Sequence, residues 1–230
     1  MAGKAKANEL TGAALIFDLD GTLVDTADDL AASMNHALSG VGLGPVPGAE
    51  VRHLVGHGAR RMLMRGFKIS SGREAGEAEL DAALARFLEH YSENIAVHSR
   101  PFDGAVAMIE AFRERGARCA ICTNKREAMA VLLIEALGLS PLFDAIVGGD
   151  TAGVAKPDPA PVRLCLERTA AARAVFIGDS DTDIRAAKAA GLPSVIADFG
   201  YGPLSFAMEA TFMFADYREA PRLIEKALSA

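Results

Sequence analysis

The chain has 230 residues, of which 50% are hydrophobic and 23% are charged, proportions that suit a globular protein with a sizeable buried core. With 24 basic and 30 acidic residues the formal net charge is −6, and no Lys/Arg-rich run stands out, so we expect no nucleic-acid partner. No apolar run approaches the length of a membrane span, and the first ten residues lack the apolar stretch of a secretory signal, so we expect no membrane partner and no secretion.

Short apolar segments alternate with helical segments along most of the chain. The apolar segments end near Gly, Asp, Thr or Asn, as buried parallel strands do, and they are Ala13–Phe17, Ala117–Cys122, Ala145–Val147, Ala174–Ile177 and Ser194–Ala197. The helical segments end at Gly or begin after Pro, and they are Ala105–Arg115, Arg126–Leu137, Pro159–Thr169 and Thr182–Ala190. This alternation predicts an α/β protein with a doubly wound parallel sheet.

The alternation is interrupted by a helical insert that contains no convincing strand. Helices are predicted at Asp25–Leu38, Ala59–Phe67 and Glu77–Asn94. Thr26, with Asp29 three residues later, resembles a capping box at the start of the first of these helices.

The insert divides the chain into two predicted domains. We expect residues 1–24 and 100–230 to form the core, and residues 25–99 to form a helical cap inserted after the first strand. Because the chain crosses between the two domains twice, the cap is expected to move as a hinged lid.

Two carboxylates lie two residues apart directly after the first predicted strand, in the segment IFDLDGT at residues 16–22. Ligands of open α/β sheets bind outside the carboxyl ends of the strands, which is where Asp18 and Asp20 fall. Carboxylates this close repel each other, so both stay ionised only beside a cation. Asp and Gly are also common in turns, and Gly21 permits a sharp one, so this segment alone leaves a purely structural role open.

Polar and charged side chains also follow the next three predicted strands of the core. They are Thr123 and Asn124, then Lys156, then Asp179 and Asp183. A hydroxyl and an amide can donate to phosphate oxygens, and a lysine is a compact cation suited to phosphate. Each of these segments alone could have a structural role, as a helix cap, a surface lysine or an acidic helix N-terminus. Such roles do not explain why all of them occur at successive strand ends. So many carboxylate oxygens suit a hard cation such as Mg²⁺ and not zinc.

Three other patterns do not support the redox, zinc or dinucleotide sites that their spacing suggests. Cys119 and Cys122 have redox spacing, but on a strand they point to opposite faces of the sheet, and we expect core cysteines in a reducing, cytoplasmic protein. His53 and His57 are four residues apart, but neighbouring glycines interrupt any helix and the glutamate of the zinc motif is missing. The glycines within Gly40–Gly48 follow a helix, so they do not match a dinucleotide-binding loop.

The DxDGT, T-N, K-P-x-P and GDxxxD elements together resemble those of the haloacid dehalogenase superfamily of phosphohydrolases, in order and spacing. Within it the chain resembles the phosphoglycolate phosphatase group, also through the cap segment Val55–Arg60. The resemblance covers nearly the whole chain. It implies a Rossmann-like catalytic core with an inserted helical cap, and a Mg²⁺-dependent phosphatase that works through a phospho-aspartyl intermediate.

The resemblance also implies a role for each catalytic residue. Asp18 is expected to attack phosphorus, and Asp20 to protonate the leaving oxygen and then activate the water that hydrolyses the intermediate. Thr123 and the adjacent Asn124 are expected to hold the phosphoryl oxygens. Lys156 is expected to neutralise charge on the nucleophile and the phosphate.

For the metal, the resemblance implies coordination by Asp18, by the backbone carbonyl of Asp20 and by Asp179. Asp183 is expected to act on the Mg²⁺ ion directly or through water. An anionic nucleophile needs such cations to approach an anionic phosphate.

Substrate discrimination is assigned to the cap, because the core residues all address the phosphate that every substrate shares. We expect His57 and Arg60, in the segment RHLVGHGARR at residues 52–61, to read a small phosphorylated metabolite such as 2-phosphoglycolate. An arginine fork matches a carboxylate.

Several alternatives stay open at this point. A sugar phosphomutase, or a nucleotide or pyrophosphate phosphatase of the same superfamily, would keep both acids, whereas dehalogenases and phosphonatases typically lack the equivalent of Asp20. A phosphorylatable receiver or binding module also clusters acids and a lysine, but it needs neither a large lid nor a second catalytic acid. We expect a monomer or a homodimer.

Overall fold

The computed structural model describes residues 9–229, so the expectation for the N-terminal segment lies almost wholly outside the described residues. The strands are β1 (Ala13–Phe17), β2 (Val24–Asp25), β3 (Arg100–Pro101), β4 (Arg118–Cys122), β5 (Ala145–Val147), β6 (Arg173–Gly178), β7 (Ser194–Ala197) and β8 (Phe212–Phe214). The helices are α1 (Ala27–Ser39), α2 (Gly48–Arg52), α3 (Ala59–Ser71), α4 (Glu77–Glu93), α5 (Ala105–Glu114), α6 (Glu127–Ala136), α7 (Ala160–Thr169), α8 (Asp181–Ala190) and α9 (Ala220–Leu228). Short 3₁₀ turns lie at Ser140–Leu142 and Ala207–Glu209.

Six strands form one parallel sheet in the order β5-β4-β1-β6-β7-β8. Its two faces alternate along each strand, so that Leu15 and Phe17 pack with α5, α6 and α9, whereas Ala14 and Ile16 pack with α7 and α8. Helices therefore cover both faces, and the predicted doubly wound α/β class is confirmed. Within residues 9–229, no helix is both long enough and apolar enough to cross a membrane.

The pairing register of β1 with β4 and β6 aligns the carboxyl ends of these three strands. Phe17 of β1 pairs with Ile121 of β4 on one side and with Ile177 of β6 on the other. The residues just beyond these three strands therefore meet at the same edge of the sheet.

The insert is a bundle of α1, α2, α3 and α4 that buries its own apolar side chains, among them Met34, Leu63, Phe67 and Phe87. The expectation of no strand in this region is wrong at its borders, because β2 and β3 pair antiparallel there and hold the two crossings side by side. The inserted helical cap is part of the confirmed fold class. Its boundaries at residues 25 and 99 stay a prediction.

Some local predictions are wrong. Thr26 makes no side-chain cap to α1, and its hydroxyl donates instead to Oδ1 of Asp20 at 2.7 Å. Asp29 accepts from the backbone N–H groups of His98 and Ser99 at 2.8–3.0 Å, so it ties the end of the insert to α1. The helix predicted at Ala59–Phe67 stops too early, since α3 runs on to Ser71, and α2, β8 and α9 were not predicted.

Candidate active site

Three buried carboxylates converge where β1 and β6 end. Asp18 follows β1 directly, Asp179 follows β6, and Asp183 lies in the first turn of α8. One oxygen from each lies within 4.8 Å of the others, and all three residues are buried. The structure therefore brings together the three side chains that the sequence assigned to a metal.

Lys156 supplies the positive charge inside this cluster. Its Nζ lies 2.7 Å from Oδ1 of Asp183 and 3.0 Å from Oδ1 of Asp18, and only 1% of the side chain is exposed. Burial alone would lower the pKa of Lys156, but the Asp18 and Asp183 carboxylates hold that pKa above its ordinary value. The lysine is therefore a fixed cation beside the predicted nucleophile.

Backbone and hydroxyl donors fix the orientation of Asp179. Oδ1 accepts from the Thr22 hydroxyl at 2.7 Å, and Oδ2 accepts from the backbone N–H groups of Tyr201 at 2.8 Å and Gly202 at 3.3 Å. Gly21 has a φ of +82°, and a Cβ on it would lie 2.7 Å from Oδ2 of Asp179. The glycine of the first motif is thus required both by its turn and by the approach of this carboxylate.

Asp183 anchors the start of α8. Its Oδ2 accepts from the Ser180 hydroxyl at 2.6 Å and from the backbone N–H groups of Asp179 and Ser180 at 3.2 and 3.1 Å, which completes a capping box. Its other oxygen receives Lys156. Asp183 therefore acts on the cluster by positioning both its neighbours, whether or not it also contacts an ion.

Negative charge is in excess at this end of the sheet. Burial raises the pKa of Asp18 to about 8 even though Lys156 opposes the rise, and Asp183 and Asp179 add to it. Burial and the neighbouring Asp183 raise the pKa of Asp179 to about 6. Three carboxylates beside one ammonium group are a hard oxygen donor set that a divalent cation would relieve, so the residues fit Mg²⁺.

Asp20 faces a different partner from Asp18. Its Oδ1 and Oδ2 lie 2.7 and 2.9 Å from Nζ of Lys125, and Oδ1 also receives the hydroxyl of Thr26. The sequence analysis missed Lys125, although it directly follows Thr123 and Asn124 at a strand end that had already been singled out. The two acids of the first motif thus stand in separate electrostatic environments, which is what two different catalytic roles require.

Thr123 and Asn124 differ in what they can offer a phosphate. The Thr123 hydroxyl accepts from the backbone N–H of Lys125 at 3.2 Å, and among residues 9–229 its own hydrogen has no acceptor, so it can donate to a ligand. Nδ2 of Asn124 donates to the carbonyls of Gly56 and Lys156, both at 3.1 Å, and its Oδ1 accepts from the Lys156 backbone N–H at 2.9 Å. In this conformation the Asn124 side chain has no donor left for a phosphoryl oxygen, and it instead joins the cap to the Lys156 loop.

Arg60 and His57, the two cap residues predicted to contact the substrate, have different surroundings. The guanidinium of Arg60 pairs with Glu77 and Asp81 of α4, so the structure does not bring it to the carboxylate cluster. His57 lies beside Gly56, whose carbonyl contacts the core through Asn124. Burial and the charges of Arg65 and Arg61 lower the pKa of His57 below its ordinary value, so the imidazole is neutral at neutral pH.

A cavity of about 60 Å³ lies between the core and the insert and opens on both acids of the first motif. Its walls are formed by Asp18, Asp20, Leu30, Val55, Gly56, Gly58, Ala59, Met62, Phe87, Leu88, Tyr91, Thr123, Asn124, Lys125, Arg126 and Met129. The insert contributes mainly apolar side chains and the core mainly polar ones. A bound phosphate ester would therefore meet the core with its phosphate and the insert with its leaving group.

Comparisons with known proteins agree with this geometry. The family model described as haloacid dehalogenase-like hydrolase matches residues 15–197. A phosphoglycolate phosphatase of Mesorhizobium japonicum is 48% identical over 189 residues, which cover 81% of this chain and 83% of the relative. One of Agrobacterium fabrum is 41% identical over 218 residues, 93% of each chain. A crystal structure of a "predicted phosphoglycolate phosphatase" from Haemophilus somnus 129pt superposes with a TM-score of 0.83 at 30% identity, covering 94% of this chain and 98% of that one.

Proposed function

Because the chain belongs to the haloacid dehalogenase-like hydrolases and is a phosphatase similar to phosphoglycolate phosphatases, we propose that it hydrolyses 2-phosphoglycolate with Mg²⁺ through a phospho-aspartyl intermediate on Asp18. The observation that carries this proposal is the pair of acids after β1. One carboxylate stands beside a buried lysine in a carboxylate cluster, and the other stands apart beside a second lysine. That separation suits a nucleophile and a general acid.

In the first proposed half-reaction an oxygen of Asp18 attacks phosphorus and the bond from phosphorus to the leaving oxygen breaks. Asp20 gives its proton to that oxygen, so that glycolate leaves as an alcohol. Lys156 neutralises charge between the attacking carboxylate and the phosphoryl group, and the Thr123 hydroxyl donates to a phosphoryl oxygen. Asn124 holds the loop that carries Lys156 in place.

In the second half-reaction Asp20 takes a proton from a water molecule whose oxygen attacks the same phosphorus. The bond from phosphorus to Asp18 breaks, inorganic phosphate leaves, and both acids return to their starting states. Covalent catalysis thus divides one difficult displacement into two easier ones.

Asp18, Asp179 and the backbone carbonyl of Asp20 would hold the Mg²⁺ ion, with Asp183 acting directly or through water. When bound, the ion would supply charge neutralisation between the carboxylates and the phosphoryl group. The fit of the donor set, described above, supports this part of the proposal.

The substrate, the lid and the cellular location are proposed on separate grounds. The similar relatives are named phosphoglycolate phosphatases, which supports phosphoglycolate as the substrate. A small cavity between the core and residues 25–99 favours a short leaving group. We take residues 25–99 as a cap that closes over it, hinged at β2 and β3. The free thiols of Cys119, Cys122 and Cys165 favour a reducing, cytoplasmic location.

Substitution of the nucleophile tests the mechanism. Asp18→Asn should lower kcat/KM for 2-phosphoglycolate and for p-nitrophenyl phosphate by about a thousandfold or more, because an amide cannot form the acyl phosphate. Acid quench of the wild type during turnover, followed by peptide mass spectrometry, should find phosphate on Asp18. Asp198→Asn is the matched control, since Asp198 also directly follows a strand but is exposed. Substantial turnover by Asp18→Asn, with Asp198→Asn equally active, would refute the mechanism.

A further inference from the structure

Lys125 is a buried cation in the wall of the cavity. Its side chain is 7% exposed, and its ammonium group contacts the carboxylate of Asp20. An ammonium group has three N–H donors, and the two oxygens of Asp20 use at most two of them. Within residues 9–229 the hydrogen bonds of Nζ go to the two oxygens of Asp20, and the Tyr91 side chain lies nearby, so the third donor is left for a ligand that reaches both groups.

Tyr91 of α4 adds a second free donor beside it. The ring lies 4.8 Å from Nζ of Lys125, and Tyr91 lines the same cavity. Its hydroxyl is buried and has no hydrogen-bond partner among the described residues. Burial raises the pKa of Tyr91 to about 12, so the group is a protonated donor at neutral pH. A buried hydroxyl without a partner is costly, which points to a ligand that would satisfy it.

The other basic groups near the cavity are less suited to hold an anion there. Arg60 is occupied by Glu77 and Asp81, and His57 is neutral. Arg126 lines the cavity, but its side chain is 60% exposed and lies 3.7 Å from Asp150. Water screens an exposed guanidinium far more than a buried ammonium, so Lys125 has the stronger attraction for an anionic leaving group.

We propose that Lys125 and Tyr91 bind the carboxylate of the substrate's leaving group, one donor to each oxygen, and so determine specificity for short phosphorylated hydroxy acids. The inference rests on the proposed function and replaces Arg60 as the carboxylate reader. Lys125 would then contact Asp20 and the incoming carboxylate together, so its charge would stabilise the anionic leaving group beside the general acid. A neutral leaving group would leave the Tyr91 hydroxyl without a partner, which would disfavour it.

Two substrates that differ only in the carboxylate test this assignment. Wild type should prefer 2-phosphoglycolate to ethyl phosphate by kcat/KM. Lys125→Met, which keeps the length of the side chain but removes its charge, should reduce that preference by at least about tenfold, the effect of one charge-assisted hydrogen bond. Tyr91→Phe should reduce it by roughly threefold to tenfold. Lys125→Met should also lose some activity on ethyl phosphate, because Lys125 contacts Asp20, so the ratio between the substrates is the readout.

Binding measurements separate recognition from catalysis. In an Asp18→Asn background, titration calorimetry should show the same selective loss for 2-phosphoglycolate on adding Lys125→Met, and Arg126→Gln is the matched control from the same wall. If Lys125→Met and Tyr91→Phe both keep the wild-type preference, the inference is overturned while the phosphatase mechanism stands. If only Arg126→Gln selectively loses affinity for 2-phosphoglycolate, the inference is overturned and Arg126 is the residue that binds the carboxylate. A wild type without preference would overturn both this inference and the proposed substrate.

Discussion

Tyr201 joins the carboxylate cluster at the end of the sheet to the start of the cap. Its backbone N–H donates to Asp179 at 2.8 Å. Its hydroxyl accepts from the backbone N–H groups of Thr26 at 2.7 Å and Ala27 at 3.1 Å, and it donates to Asp25. The phenol is therefore the acceptor for the first amides of α1, just beyond the paired strands β2 and β3.

Removing that hydroxyl should weaken the junction without changing the carboxylate cluster. In Tyr201→Phe two buried N–H groups lose their acceptor, at about 1–2 kcal/mol each, whereas the half-exposed Asp25 carboxylate can be hydrated instead. We therefore expect the free energy of unfolding to fall by about 2–4 kcal/mol. The Mg²⁺ concentration for half-maximal activity should change little, because the bond to Asp179 comes from the backbone.

Urea denaturation followed by circular dichroism measures the first quantity, and a Mg²⁺ titration of activity measures the second. Tyr217→Phe is the matched control, since that buried hydroxyl makes one bond, to the carbonyl of Thr22 at 2.8 Å, and its loss should cost about 1 kcal/mol. Equal losses in the two variants would refute the junction role of Tyr201. A sharply raised Mg²⁺ requirement in Tyr201→Phe would show that the hydroxyl, and not the backbone, orients Asp179.

Three further predictions concern the second acid and the metal. Asp20→Asn should slow alkyl phosphates at least about tenfold more than p-nitrophenyl phosphate, whose phenolate needs little protonation, and equal losses on both would remove the general-acid role. EDTA should abolish activity and Mg²⁺ should restore it, with Ca²⁺ a poor substitute because its coordination is looser. Asp179→Ala should raise the Mg²⁺ requirement about tenfold or more, and an unchanged requirement would place Asp179 outside the metal site.

The sheet and the carboxylate cluster could be predicted because both follow from local patterns. Each strand is a short apolar run, and the carboxyl ends of parallel strands meet at one edge. Asp18, Asp179 and Lys156 therefore had to lie near one another once the strands were located. The strands β2 and β3 were missed, since two residues are too few to show a periodicity. β8 was also missed, although it is as long as β5, which was predicted.

Side-chain partners across long separations could not be predicted in the same way. Lys125 lies 105 residues from Asp20 in sequence, and the Tyr201 hydroxyl lies 176 residues from Asp25. The ion pairs of Arg60 could not be predicted, because helical periodicity indicates only that the residue is polar. Its direction depends on how α3 packs against α4, and that packing places Glu77 and Asp81 beside it.

The charged side chains of the site form two groups that differ in net charge. When all three are ionised, Asp18, Asp179 and Asp183 carry three negative charges beside the one positive charge of Lys156, which leaves two in excess, whereas Asp20 is paired with Lys125. A divalent cation would bring the first group to zero, so the phosphate could approach Asp18 without net repulsion. The second group holds one carboxyl and one ammonium group, and Lys125 keeps one donor that Asp20 does not use. If the proposed assignment of Lys125 and Tyr91 holds, a leaving group with one negative charge would find its counter-charge beside Asp20, and carboxylate recognition would depend on the core lysine more than on the arginines of the cap.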